Sequence, residues 1–159
     1  MNRPRKARGP RPGSIRRVPG LNYGELDEYL GYLLRRAQLA GFEAFHRATE
    51  RSEITPARFT AMVIVQANPG LTQSALGAAL GTARSGAMQT ADWLEARGLA
   101  ERRNRPEDAR TWGLYLTARG EARLRALKRR VRANDAAFAA RLAPGERVTL
   151  RKLLAKLSG

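Results

Sequence analysis

Apolar residues recur at three- and four-residue steps along most of this chain, and the interruptions mark its turns. From Tyr23 onward Leu26, Leu30, Leu33, Leu34, Ala37, Ala40, Gly41, Ala44 and Phe45 keep a helical period, which predicts one long helix over about 23–51. Thr55-Pro56 opens a second helix. The threonine hydroxyl can accept from an unpaired backbone N–H at the N-cap, and proline at the first helical position forgoes an N–H that has no partner there. The apolar face of this helix is Phe59, Met62, Val63 and Val65, and Asn68-Pro69-Gly70 stops it. Thr72 caps a short third helix carrying Leu76, Ala79 and Leu80. Gly81 turns the chain. Thr82 is placed to cap a fourth helix whose Ala87, Ala91 and Leu94 share one face, and Gly98 ends it.

The period then changes. Leu99 to Arg103 and Thr111 to Leu116 read as two short antiparallel strands around the charged centre Arg105-Pro106-Glu107-Asp108-Ala109-Arg110. Thr117 caps a fifth helix running to about Leu142, with Leu124, Leu127, Val131 and Phe138 as its stripe. Pro144 opens a last helix with Val148, Leu150, Leu153, Leu154 and Leu157. Short helices joined by a tight turn and followed by a hairpin predict a mostly α fold with a small β-hairpin wing: a winged helix-turn-helix. The fourth helix, about 83–97, would be the recognition helix, since a helix of that diameter fits the major groove. The arginine-rich hairpin would reach toward the backbone or the narrow minor groove, which concentrates negative potential.

Charge adds a partner to this picture. Thirty Lys+Arg oppose 14 Asp+Glu, a net +16, and such an excess favours a polyanion, nucleic acid before membrane surface. High genomic GC content would explain arginine over lysine, but not the twofold excess of positive charge. Residues 1–20 hold seven Arg+Lys, four Pro, three Gly and no acid, which predicts a disordered basic arm, either DNA-grazing or a passive tail. With 43% hydrophobic residues the rest supports a real core. The chain has no cysteine and a single histidine, His46, so thiolate, Ser-His-Asp and His-rich metal sites are hard to assemble. No phosphate-loop or dinucleotide glycine motif occurs either, and the expectation is a protein that is not an enzyme and carries no cofactor or metal. No apolar run approaches the roughly 20 residues of a membrane span. That leads to an expected cytoplasmic location, on the nucleoid.

The segment LTQSALGAALGTARSGAMQTADWLEARGLAERR, followed by PEDART and LYLTARG, resembles the MarR family of bacterial transcription regulators. The matching pieces are the helix-turn-helix, Asp92 and Leu94-Glu95 before Gly98-Leu99, the Asp108-Ala109-Arg110 wing motif, and Leu116-Thr117-Ala118-Arg119-Gly120. The resemblance implies a homodimer, with 21–52 and 118–159 as a helical dimerisation domain and 53–117 as the DNA-binding lobe. It implies a sequence-specific, ligand-responsive regulator, most often a repressor, on a roughly palindromic operator in double-stranded DNA, with recognition helices about 34 Å apart. Aromatic-compound catabolism or a stress response is the expected setting. The rival reading is a basic architectural protein that binds DNA with little sequence preference.

The resemblance also assigns roles. Arg110 matches the wing arginine that enters the minor groove and Asp108 the acid that orients it; alternatively the two simply pin the turn. Arg102, Arg103 and Arg105 are expected at phosphates, or as a solvated strand face. On the recognition helix Arg84, Ser85, Met88 and Gln89 fall opposite the Ala87/Ala91/Leu94 face; Arg84 suits a guanine edge and Gln89 an adenine, or either meets only phosphate or solvent. Gln73 and Ser74 begin the third helix, where free N–H groups suit phosphate. Trp93 stands where a charged residue is usual and is expected to pack; Trp112 on the wing strand is likewise expected to be structural. For an effector, the first helix offers Tyr32, Arg35, Arg36, Phe42 and His46. The resemblance points to a small aromatic acid or its acyl-CoA thioester, with Arg35 and Arg36 meeting carboxylate or phosphate; otherwise these are surface charges and a polar helix residue.

Overall fold

The computed structural model describes residues 17–50, 52–105 and 108–159, with the side chains of Asp108, Ala109 and Arg110 outside that description. The chain order is α1 (Leu30–Ala48), α2 (Pro56–Ala67), α3 (Gln73–Leu80), α4 (Arg84–Ala96), β1 (Ala100–Arg105), β2 (Asp108–Leu116), α5 (Ala118–Phe138) and α6 (Pro144–Ser158). Short 3-10 turns at Gly24–Glu28 and Ala139–Arg141 precede α1 and follow α5.

Three expected threonine caps form. Thr55, Thr72 and Thr117 accept from the backbone N–H of Arg58, Ala75 and Gly120. The fourth does not. Ala83 occupies the N-cap of α4 and supplies no side-chain cap; Thr82 lies one residue earlier, where its N–H donates to the Gly77 carbonyl (3.1 Å) and closes the end of α3 around Gly81 at φ 62. The long first helix is also shorter than expected. Tyr29 is extended (φ −90, ψ 116) and splits the 3-10 turn from α1. The periodicity could not show the break, since residues three apart share a face in both helix types.

β1 and β2 pair antiparallel from Ala100↔Leu116 to Asn104↔Trp112, and a bulge follows at Asn104/Arg105. Both strands reach further into the turn than their hydrophobic pattern. A short third partner joins at the root of the hairpin: Gly70 N–H donates to the Leu114 carbonyl, and Leu114 N–H to the Leu71 carbonyl, each at 2.9 Å. This crossing is tight. A Cβ on Gly113 would stand 2.6 Å from the Gly70 carbonyl oxygen and 2.7 Å from its Cα, so only glycine fits there.

One hydrophobic cluster runs through the winged lobe and into the long helices. Met62 and Val65 of α2, Leu76 of α3, Ala91 and Leu94 of α4 and Leu114 of β2 share it with Phe45 of α1 and Leu124 and Leu127 of α5. Beyond that cluster the chain leaves its apolar side chains open. No residue of α6 is buried; Val148, Leu150, Leu153, Leu154 and Leu157 are exposed, as are Leu30, Leu33 and Leu34 of α1. Phe138, expected in the buried stripe of α5, is exposed with them. The expected apolar stripes are present on these helices, but the single chain does not bury them.

Candidate nucleic-acid interface

α4 packs through a fully buried face, Ala87, Ala91 and Leu94, against the core. Small residues let it approach α3: a Cβ on Gly77 would already touch the Ala87 Cβ at 3.4 Å. The opposite arc of α4 is exposed and holds Arg84, Ser85, Met88, Gln89 and Asp92. Helical spacing thus puts every expected base-reading side chain on one outward surface.

The wing is tied to that surface by charge. Arg102 of β1 donates to Asp92 Oδ1 (2.7 Å) and, through its other terminal nitrogen, to Glu95. Glu95 also accepts from the Arg102 backbone N–H (3.0 Å). Only about a quarter of the Arg102 and Glu95 side-chain surfaces is exposed (27% and 26%), so water competes weakly for these bonds. The guanidinium expected at a phosphate is thus bonded within the protein, where it bridges α4 and the hairpin. Arg103 is exposed, stacks over Tyr115 at 4.1 Å and pairs with Glu101 at 3.2 Å. Arg105 is half-buried and stands opposite Asp108 at the end of the ladder. The backbone of Asp108 and Arg110 begins β2; their side-chain roles lie outside the described residues, as does most of the basic arm. Gln73 and Ser74 occupy the first turn of α3, Gln73 half-buried and Ser74 exposed.

Trp93 packs on its own lobe, not on the wing. Its ring lies between two guanidinium groups, Arg58 of α2 at 4.0 Å and Arg97 at 4.1 Å from the ring centre. Arg97 donates to Glu53 Oε2 (2.8 and 2.5 Å), and Arg58 to the Glu53 carbonyl (2.6 Å). Burial first, then the Arg97 charge, lowers the Arg58 guanidinium from the usual arginine value. The stack clamps the C-terminal half of α4 to the start of α2. Packing of Trp93 was expected, but its two arginine partners and the Arg102 tie were not. The available signal was the placing of opposite charges, Asp92 and Glu95 against Arg102, on the two sides of the Gly98 turn.

The five candidate effector residues lie along α1 rather than around one point. Tyr32 and His46 are fourteen positions apart in the sequence, which is about 21 Å of helix. Arg36 sits 5.7 Å from the Tyr32 ring centre and bonds Asp27 at 3.4 Å. Asp27 also accepts from Arg17, and that bond holds the exposed carboxyl below its usual range. Arg35 is exposed near the same end. Half-buried His46 meets the Phe45 ring edge-on at 6.1 Å, and Phe45 meets Phe59 of α2 at 5.6 Å; Phe42 is exposed nearby on α1. The helix therefore offers a cationic end and an aromatic end.

A helix-turn-helix with a buried alanine face, an outward polar arc and a charge-fixed hairpin beside it defines a winged helix-turn-helix DNA-binding protein. A MarR-family profile matches residues 52–111. A candidate transcriptional regulatory protein for the hcr operon of Thauera aromatica is 37% identical over 138 residues, 86% of this chain and 83% of that protein. The chain belongs to the MarR family of transcription regulators. Solved structures of the transcriptional repressor CouR superpose closely. In its complex with a 23-mer DNA duplex, CouR is 36% identical with a TM-score of 0.81, over 87% of this chain and 99% of that one. In its complex with p-coumaroyl-CoA it is 35% identical with a TM-score of 0.80, over 87% and 97%. Among the described residues no helix is long and apolar enough to cross a membrane.

Proposed function

We propose that this protein is a homodimeric, ligand-released repressor that binds a roughly palindromic operator and governs genes for aromatic-compound breakdown. The observation that carries the reading is the outward arc of α4 fixed beside the wing through Asp92–Arg102. Arg84 and Gln89 read base edges; Gln73, Ser74, Ser85, Arg103 and Arg105 hold phosphates; Arg110, oriented by Asp108, enters the minor groove; the basic arm adds phosphate contacts. The open apolar faces of α1 and α6 support pairing with a second copy, since a single chain leaves them in water. The segments 21–52 and 118–159 would form the dimer domain around 53–117. Such a protein works in the cytoplasm on the nucleoid, and it performs no catalysis.

The effector is an aromatic acyl-CoA rather than a small acid. The spread of candidate residues along α1 supports this: Tyr32, Arg35 and Arg36 suit phosphates, and Phe42 and His46 suit the acyl ring. CouR, similar over most of its length, has been solved with p-coumaroyl-CoA. Phe45 supplies the coupling. It belongs to the effector helix, touches Phe59 of the lobe and lies in the common core, so a ligand that shifts α1 must also shift the base of the wing.

The test is fluorescence anisotropy on duplex from upstream of the protein's own gene, against random duplex, at about 150 mM salt. The reading expects a preference of about a thousandfold or more. It also expects release by p-coumaroyl-CoA at concentrations where free p-coumarate has no effect. Equal affinity for both duplexes would favour the architectural reading, and release by the free acid would overturn the CoA assignment.

A further inference from the structure

Among the described residues of the winged lobe, two large apolar side chains remain exposed: Met88 at 48% and Trp112 at 60%. The other exposed large hydrophobics lie before or in α1, at the end of α5 and in α6, the segments proposed to pair with a second copy. Met88 lies on none of those segments. It stands on the outward arc of α4, one turn after Arg84 and one turn before Asp92, the residue that anchors the wing. A long apolar side chain in water at the centre of a polar arc gains nothing for folding, because its helix already buries Ala87, Ala91 and Leu94. Its neighbours Arg84, Ser85 and Gln89 all end in hydrogen-bonding groups.

We infer that Met88 reads a thymine by its C5-methyl group in each half-site. In the major groove that methyl is the one apolar feature that separates T·A from the other pairs, and hydrogen-bonding side chains cannot distinguish it by bonding. A flexible, polarisable thioether chain suits it: three rotatable bonds let the terminal methyl settle on the base without requiring one backbone position. Placed between Arg84 and Asp92, Met88 would read a thymine near the base pair that Arg84 contacts. This rests on the reading that α4 enters a major groove.

The experiment starts with the full chain and a randomised duplex library, which yields the preferred operator. Each thymine of that operator is then replaced by deoxyuridine, symmetrically in both half-sites, which removes the methyl and leaves every hydrogen-bonding atom. Wild-type protein is expected to lose about fifteenfold in affinity at one thymine pair, about fourfold per half-site, and little at the others. Met88→Ala is expected to bind the thymine and uracil operators equally, and Met88→Leu to keep most of the discrimination. Met88 is exposed, so both variants should fold, and unchanged melting checks it. If an operator is selected but no thymine shows the loss, or Met88→Ala retains it, the Met88 assignment is overturned while the regulator stands. If the library yields no preferred sequence, the regulator reading fails and the Met88 assignment falls with it.

Discussion

Arg102 on the first strand of the wing bonds Asp92 on the recognition helix at 2.7 Å, across ten residues of chain that include the Gly98 turn. This bond, with the two to Glu95, fixes the hairpin relative to the helix that would enter the groove. Arg102→Ala is expected to lower stability by about 1–2 kcal/mol, since it leaves the partly buried Glu95 carboxylate without its cation. It should weaken operator binding while leaving the salt slope unchanged. A slope lower by about one per protomer would mean that Arg102 meets a phosphate after all.

The clamp at Trp93 makes a separate claim. Trp93→Leu removes the ring between Arg58 and Arg97 and leaves the two guanidinium groups facing each other with only Glu53 between them. The expected loss is about 1–2 kcal/mol in chemical denaturation. In an Arg58→Ala background the same substitution should cost clearly less; equal costs in both backgrounds would show that the stack contributes only packing.

Gly120 sits in the first turn of α5, where a Cβ would overlap the Leu99 carbonyl oxygen. Gly120→Ala is expected to destabilise by about 2–3 kcal/mol, because the obstacle is backbone and cannot rotate away. Gly145, in the first turn of α6, has open space around it, and Gly145→Ala should be neutral or stabilising by about 0.5 kcal/mol. Similar denaturation midpoints for the two variants would contradict the close approach of α5 to the turn at Leu99.

Two arginines divide the work on DNA. Arg84→Ala should relax preference at one base pair per half-site by about 1–3 kcal/mol, leaving other positions intact. Arg110→Ala should weaken binding to all A·T-rich flanks with unchanged melting; a fall in melting would instead assign Arg110 to pinning the turn. Competition with single-base operator variants separates the two patterns.

The sequence alone determined the order of the elements and most of their ends. Caps and stops are local: Thr55, Thr72 and Thr117 each satisfy an N–H three residues away, and Gly81 and Gly98 turn the chain at φ 62 because glycine has no side chain to clash. The face of α4 was legible for the same reason, since its helical period separates Ala87, Ala91 and Leu94 from Arg84, Ser85 and Gln89. Where two local signals competed, the pattern misled. Thr82 belongs to the end of α3, one residue before the N-cap of α4, and the 3-10 turn before Tyr29 shares the spacing of the helix after it.

Tertiary structure decided whatever depended on residues far apart or on a second surface. Arg102 looks in sequence like its neighbours Arg103 and Arg105; only the fold brings it to Asp92 and Glu95. Trp93 is expected from the sequence to pack, but only the fold supplies the surface: Arg58, thirty-five positions earlier, closes over its ring. Phe138 and the leucines of α6 carry a core-like period, yet they stay in water within one chain. Periodicity reports that a face must be buried, because water excludes apolar surface wherever it lies. It carries no information on which surface does the burying, and that is a property of the assembled fold.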